Sequence, residues 1–133
     1  MFEAKGVNFA DIPKEEEVPL SEATGAGRGF AVTGGVANAV VEAIKRIDPD
    51  REVKVVSAEG LDNCRKMLMA ARSGKYNGYL LEGMACPGGC VAGAGTIQPI
   101  AKTAAAIGRY KQSADQQNAM DSRYEFVLPE LEE

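Results

Sequence analysis

The sequence predicts an α/β fold with a small parallel sheet of about three to four strands. Short apolar or β-branched runs alternate with longer segments whose apolar residues recur every three or four positions, and glycine-rich turns separate them. Connections of this β-α-β kind are right-handed and produce parallel strands. Because so small a sheet buries little surface, we expect it to be one lobe of a larger unit.

The first strand and helix are predicted on either side of the glycine pair at residues 34–35. The apolar run of residues 30–32 is typical of a strand, and Thr33 is a candidate N-cap for the helix that follows. The dipeptide Asp-Pro at residues 48–49 should end that helix. Its apolar positions are Val36, Val40, Ala43, Ile44 and Ile47.

A second β-α-β unit follows. Residues 53–57 and 79–81 are strand candidates, because both runs are rich in residues that favour strands. Between them, Gly60 and Asp62 open a helix for which Gly74 is the predicted C-terminal stop. The predicted inner face of this helix contains Leu61, Cys64, Leu68 and Ala71.

The chain divides into three parts by composition. Residues 1–24 carry an acidic run between two prolines and are expected to form an arm or linker. Residues 25–111 form the α/β lobe, which closes with a helix that begins near residue 99. Residues 112–133 are expected to be a polar tail or helix end.

Composition excludes several functions. With 45% hydrophobic and 26% charged residues, the 133-residue chain has the make-up of an ordinary globular domain. Its net charge of −4 and lack of a basic run argue against nucleic-acid or membrane partners. The sequence lacks an apolar run long enough to span a bilayer and a signal-peptide pattern, so we expect a cytoplasmic protein. It contains no histidine, which excludes Ser-His and Cys-His chemistry within the chain.

The segment with the clearest chemical signature is the loop predicted at residues 82–95, EGMACPGGCVAGAG, which follows a parallel strand. Ligands in open α/β sheets gather beyond the carboxyl ends of strands. Cys86 and Cys90 are four residues apart, but the intervening Pro-Gly-Gly forbids a regular helix and favours a tight turn. Such a turn could bring both sulfurs to one side and direct backbone N–H groups at an anionic centre.

Spacing alone leaves other interpretations of this loop open. A cysteine in an apolar loop is commonly a small buried hydrophobe, and glycine clusters are commonly turns. Structural zinc takes four nitrogen or sulfur ligands, whereas the sequence has three cysteines and no histidine. The glycines of the cysteine loop are not followed by the lysine of a phosphate-binding P-loop. GAGRG at residues 25–29 lacks a glycine at the third glycine position of the dinucleotide fingerprint G-x-G-x-x-G.

Two separated motifs carry a more specific resemblance. MACPGGC at residues 84–90, with Glu82 before it and GAG at 93–95 after it, resembles the third cysteine motif of the iron-only hydrogenases. GAGRGFAVTGGV at residues 25–36 is similar to the segment that precedes that motif in the same family. The resemblance covers roughly residues 1–97, and it implies one lobe of a two-lobed catalytic domain.

The resemblance also implies a cofactor and the residues that hold it. The family's catalytic six-iron cluster is a 4Fe-4S cubane bridged to a diiron unit, and it reduces protons reversibly to dihydrogen with a ferredoxin-type electron carrier. Cys86 matches a cubane ligand and Cys90 matches the ligand that also bridges to the diiron unit. Met84 and Phe30 match residues that line the diiron pocket.

The sequence departs from the family pattern in lacking the two earlier cysteine motifs, which supply the other cubane ligands and the proton relay. Cys64 lies on the apolar face of a predicted helix and is expected to pack in the core. We therefore expect this chain to be a piece of a longer natural one, with the missing N-terminal lobe as its partner. Alone it should be inactive, free of iron, and able to form a homodimer through its exposed lobe surface.

Two competing hypotheses remain at the level of sequence. A hydrogenase-derived protein could keep the fold and the cysteine loop but serve as a non-catalytic iron-sulfur or partner-binding module. Alternatively, the thiols could do nothing beyond packing in a small α/β domain, although this leaves the glycine-flanked cysteine loop without a cause.

Overall fold

A computed structural model describes residues 3–8, 11 and 22–122 of the chain. These residues form four α-helices and a two-stranded parallel sheet. The order is α1 (Gly25–Arg28), α2 (Gly35–Ile47), β1 (Lys54–Glu59), α3 (Leu61–Arg72), β2 (Tyr79–Met84) and α4 (Ile100–Gln112). Helices α2 and α3 pack against the strands. Short 3-10 helices occupy Glu3–Lys5, Gly29–Ala31, Cys90–Ala92 and Ala119–Asp121. The α/β class and the parallel sheet predicted from the sequence are confirmed.

The sheet forms because two β-branched or apolar runs flank a helix that can cross over them. β1 and β2 pair from Lys54 opposite Tyr79 to Glu59 opposite Met84, so both strands end at the same edge. The second strand extends three residues beyond its predicted end, because residues 82–84 still pair with β1. The first three residues of the predicted cysteine loop therefore belong to a strand, and the loop proper begins at Ala85.

The predicted strand at residues 30–32 is wrong. Gly29–Ala31 form a 3-10 turn, and Val32 is the first extended residue after it. The Val32 amide bonds the Gly29 carbonyl at 3.3 Å, and the Gly35 amide bonds the Val32 carbonyl at 2.9 Å. Consecutive turns thus satisfy backbone groups that a sheet would otherwise pair. The sheet has two strands in the described residues instead of the three to four expected.

The ends of the helices follow the sequence closely. Helix α2 ends at Ile47, immediately before Asp48 and Pro49, as predicted. Helix α3 ends in a Schellman motif, in which the Gly74 amide bonds the Ala71 carbonyl at 2.9 Å and the Lys75 amide bonds the Ala70 carbonyl at 3.1 Å. Gly74 has the positive φ of 87° that this motif requires. Helix α4 begins after Pro99, as the apolar spacing indicated.

The buried core of the described residues is small and consists mainly of alanines, with Met67 and Val91 as its larger members. The predicted inner face of α3 is only partly correct. Leu61 and Leu68 are 73% and 59% exposed, whereas Met67 is buried. The sheet is too narrow to cover a full apolar stripe, so the helix buries its Cys64 and Met67 side instead. Residues 3–8, 11 and 22–122 contain no helix with the length and apolar character needed to cross a bilayer.

Most of the predicted N-terminal arm and C-terminal tail lies outside the described residues. The part of the tail that is described includes a 3-10 helix at Ala119–Asp121. It lies against α2, where Arg46 pairs with Asp121 at 3.1 Å and Asn118 donates to the Glu42 carbonyl at 3.3 Å. The division of the chain into arm, lobe and tail stays a prediction.

Candidate metal-ligand loop

Three segments of the chain meet at the carboxyl edge of the sheet. They are the turn at residues 32–34 before α2, the end of β1 at Glu59, and the loop that follows β2. The Thr33 amide faces the Gly88 carbonyl at 3.4 Å, and the Gly60 amide bonds the Met84 carbonyl at 2.9 Å. The cysteine loop therefore lies where ligands of open α/β sheets are bound, as its position after a strand predicted.

The cysteine loop, which starts at Ala85, forms a tight turn over residues 86–89. The Gly89 amide donates to the Cys86 carbonyl at 2.9 Å, with Pro87 and Gly88 at the two central positions. Gly88 has a φ of 92°, which fits the third residue of a type II turn, and proline favours the second. A 3-10 turn at Cys90–Ala92 follows at once. The tight turn expected between the two cysteines is confirmed.

Close backbone approaches explain two of the loop glycines. A Cβ at Gly89 would lie 2.8 Å from both the Ala31 carbonyl oxygen and the Thr33 nitrogen, so only glycine lets the loop reach the turn before α2. A Cβ at Gly93 would lie 4.0 Å from Cys86 Sγ and 3.2 Å from the Cys90 carbonyl oxygen. The chain thus folds back beside both cysteines.

Glu82 holds the start of α2 from the neighbouring strand. Its side chain is buried, and its Oε2 accepts from the Gly34 amide at 2.6 Å. Its Oε1 accepts from the Val36 and Ala37 amides at 3.1 and 3.2 Å. These donors include first-turn N–H groups that have no partner within the helix, and the positive end of the helix dipole faces the carboxylate. Thr33, the predicted N-cap, is replaced in this role by a residue from another element.

Glu59 ties the cysteine loop to the turn before α2. Its Oε2 accepts from the Thr33 hydroxyl and from the Gly88 amide, each at 2.9 Å. Both hydrogen bonds lower the pKa of the Glu59 carboxyl below its ordinary value, and the bond from the Gly88 amide has the larger effect. The side-chain oxygen of Thr33, which the sequence suggested for capping, is therefore engaged with Glu59.

Cys64 takes a structural position. Its thiol lies 3.5 Å from the carbonyl oxygens of Ala58 and Met84, one on each strand. A Cβ at Gly83 would lie 3.3 Å from the sulfur, so the glycine makes room for the thiol against the sheet. Cys64 thus packs against the sheet, where it is partly buried, and the expectation that it is not a metal ligand stays a prediction.

The other predicted site residues lie in different surroundings. Cys86 is partly buried and Cys90 is exposed. Met84, at the end of β2, lines a cleft of about 240 Å³ between that strand and α2, together with Val36, Ala37 and Val40. Phe30 lies on the 3-10 turn before α2, is 44% exposed and does not line that cleft. The cofactor-contact roles of Met84 and Phe30 stay predictions.

The donor set fits part of an iron-sulfur cluster. Within residues 3–8, 11 and 22–122, no three His, Cys, Asp or Glu side chains are grouped so that they could hold a metal ion. A cubane cluster takes four thiolates, and the described loop offers two, both free. The chain can therefore supply two ligands, and the remaining two would have to come from elsewhere.

The structural roles of Glu59 and Glu82 were not predicted from the sequence. A carboxylate within an otherwise apolar strand is an unusual choice that calls for a partner, and this could have singled out Glu82. Glu59 lies at a strand end, where glutamates are common, so its sequence context carries no comparable signal.

The fold and the loop define a small α/β unit with two free cysteines at the carboxyl edge of its sheet. Residues 1–94 match the family described as the iron only hydrogenase large subunit, C-terminal domain. This match covers more than half of the chain, and the chain therefore belongs to that family.

Individual relatives agree with this assignment. The chain is 33% identical over 116 residues to the NADP-reducing hydrogenase subunit HndD of Solidesulfovibrio fructosivorans, covering 67% of this chain and 20% of that protein. It is 30% identical over 127 residues to the periplasmic Fe hydrogenase large subunit of Nitratidesulfovibrio vulgaris, covering 75% and 30%. The chain thus spans between a fifth and a third of the length of these relatives.

Proposed function

We propose that this chain supplies two thiolate ligands, Cys86 and Cys90, to the catalytic six-iron cluster of an iron-only hydrogenase. The observation that carries the proposal is the tight turn of residues 86–89, which separates Cys86 from Cys90 at the carboxyl edge of the sheet. When bound, the cluster supplies the redox chemistry for reversible reduction of protons to dihydrogen, with electrons from a ferredoxin-type carrier.

The loop residues have separate roles in this proposal. Cys86 would hold the cubane, and Cys90 would hold the cluster where the cubane and the diiron unit meet. Met84 and Phe30 would line the pocket around the diiron unit. Gly93 lacks a side chain beside Cys86 Sγ, which leaves space next to the sulfur.

The remaining ligands come from the N-terminal lobe of the same parent chain, which is the main partner in this proposal. Two thiolates cannot complete a cubane, so the chain alone should hold no stoichiometric iron and evolve no hydrogen. Its exposed apolar side chains, which include Leu61, Leu68 and Ile97, would then favour a homodimer. Partners among nucleic acids and membranes are not part of the proposal, and a cytoplasmic location stays a prediction.

Cobalt(II) binding tests whether the two sulfurs act together. Anaerobic titration should produce thiolate-to-cobalt charge-transfer absorption whose intensity corresponds to two sulfur ligands. Cys86→Ser and Cys90→Ser should each reduce that absorption by about half or more. Cys64→Ser is the matched control and should leave it unchanged. Equal spectra for all four proteins would contradict the shared ligand role.

Hydrogen evolution tests the catalytic part of the proposal. This chain would replace the matching segment of HndD, with expression in a host that assembles the catalytic cluster. The chimera should evolve hydrogen from reduced methyl viologen, and Cys86→Ser or Cys90→Ser should abolish it while Cys64→Ser does not. A folded chimera that contains iron but evolves no hydrogen would argue against a catalytic role.

A non-catalytic iron-sulfur or partner-binding module is the second candidate, and two shorter matches favour it. The chain is 35% identical over 51 residues to the nuclear prelamin A recognition factor of Xenopus laevis. It is 34% identical over 62 residues to a probable cytosolic Fe-S cluster assembly factor of Aedes aegypti. If the protein bound another protein only when it contained iron, and evolved no hydrogen, this second candidate function would be supported.

A further inference from the structure

We infer that Glu59 is a positioning residue for the cysteine loop. Its carboxylate accepts hydrogen bonds from Gly88 of the loop and from Thr33 of the turn before α2, and this pair of bonds, called the clasp below, holds the loop in place. This inference rests on the proposed function only in giving the loop a purpose, since the clasp itself is a property of the protein without metal. Neither the cysteine motif nor the matched N-terminal motif contains Glu59.

The clasp acts at the centre of the loop. Gly88 lies two residues from each of Cys86 and Cys90, and its amide donates to Glu59 Oε2 at 2.9 Å. The Gly88 carbonyl faces the Thr33 amide at 3.4 Å, which is the weaker of the two contacts. These two contacts hold the peptide groups on both sides of the Gly88 Cα, which restricts the turn between the two cysteines.

The other half of the clasp is Thr33. Its hydroxyl donates to the same Glu59 oxygen at 2.9 Å, so one carboxylate oxygen joins two segments that are 55 residues apart in the chain. Hydrogen bonds to an ionised acceptor are about twice as strong as neutral ones. The Thr33 turn directly follows Phe30–Val32, so the clasp also fixes the loop relative to the Phe30 segment.

Sterics alone would not hold this arrangement. Gly89 permits the backbone of the loop to approach Ala31 and Thr33, because a Cβ there would lie 2.8 Å from both. Glycines with positive φ at residues 88 and 89 also give the unfixed loop many alternative conformations. Glu59 supplies the directional contact that selects one of them.

Site-specific alkylation of the metal-free chain tests the inference. Each thiol would be followed separately by mass spectrometry, with Cys64 as the internal reference. Glu59→Ala should raise the alkylation rate of the partly buried Cys86 about tenfold relative to Cys64, because the loop opens more often. Thr33→Val removes one of the two donors and should raise it about threefold.

Two further variants separate positioning from general destabilisation. Glu59→Gln places an amide oxygen where both donors meet and should keep the Cys86 rate within about twofold of the starting protein. Asn63 donates to the Glu59 main-chain carbonyl at 3.0 Å and does not contact the clasp oxygen, so Asn63→Ala is the matched control and should change nothing. Hydrogen exchange at the Gly88 amide should follow the same order.

The inference is overturned if Glu59→Ala leaves the Cys86 rate and Gly88 exchange unchanged. It is equally overturned if Glu59→Ala accelerates all three thiols by the same factor, which global unfolding would do. Because no metal is present, these results are independent of whether Cys86 and Cys90 bind a cluster. Failure of the cobalt titration would instead remove the proposed ligand role and leave the clasp intact.

Discussion

The start of α2 and the cysteine loop are both held by a glutamate from the sheet, yet the two attachments differ in strength and burial. Glu82 is buried and accepts hydrogen bonds from three backbone amides. Glu59 is partly exposed, and a single oxygen of its carboxylate accepts hydrogen bonds from one amide and one hydroxyl. The comparison indicates a firmly fixed helix beside a loop whose position is selected by fewer, more accessible bonds.

Removing Glu82 should have the largest effect. Glu82→Ala leaves the amides of Gly34, Val36 and Ala37 without their acceptor, and we expect it to lower the free energy of unfolding by about 3 kcal/mol. Glu82→Gln keeps one acceptor oxygen and should lose about half as much. Urea denaturation measures both. Glu42→Ala, on the exposed side of the same helix, is the control and should cost under about 0.5 kcal/mol. A loss below about 1 kcal/mol for Glu82→Ala would remove the distinction between the two attachments.

Gly35 provides a steric test of the same helix start. A Cβ at this position would overlap the Gly29 carbonyl oxygen, so Gly35→Ala should destabilise the fold by about 2 kcal/mol. Gly108 lies in α4 with open space around it, and Gly108→Ala should stabilise by about 0.5 kcal/mol. Thermal unfolding of the two variants should therefore shift in opposite directions. Equal shifts would show that the helix start tolerates movement.

Substitution of the packed Cys64 should cost more stability than substitution of a loop cysteine. Cys64→Ser places a hydroxyl in a site shaped for sulfur between α3 and the sheet, and we expect a loss of about 1 kcal/mol in unfolding free energy. Cys90→Ser is at an exposed position and should change stability by less than about 0.5 kcal/mol. Chemical denaturation compares them. A larger cost at Cys90 would mean that the loop contributes to the fold itself.

The smallest predicted effect is a dependence of stability on pH that originates at Glu59. Because the pKa of this carboxyl is lowered in the folded chain, its contribution is present above the pKa of the unfolded chain and is lost as the pH falls through the folded value. The stability difference between the starting protein and Glu59→Gln should therefore shrink as the pH falls below the ordinary glutamate pKa of 4.5. Unfolding curves at several pH values measure it. A difference that grows towards acid would have the wrong sign for this carboxylate.

Sequence reasoning succeeded where the determining interactions are local. The Pro87-Gly88 turn, the Gly74 stop of α3 and the end of α2 before Pro49 each depend on backbone preferences within a few residues. The same reasoning failed at residues 30–32, whose apolar side chains favour a strand while contacts with Gly35 and Gly89 impose a turn. Glu82 reaches amides 45 to 48 residues away, which no local pattern could indicate.

That long reach has a consequence for synthesis on the ribosome. Helix α2 emerges well before Glu82, because this residue is made 45 to 48 positions after the three amides that donate to it. At roughly 5 to 20 residues per second, the nascent helix waits several seconds with its leading amides open to water. The native start of α2 can therefore form only after the second strand has been made, because Glu82 is the acceptor of its leading amides.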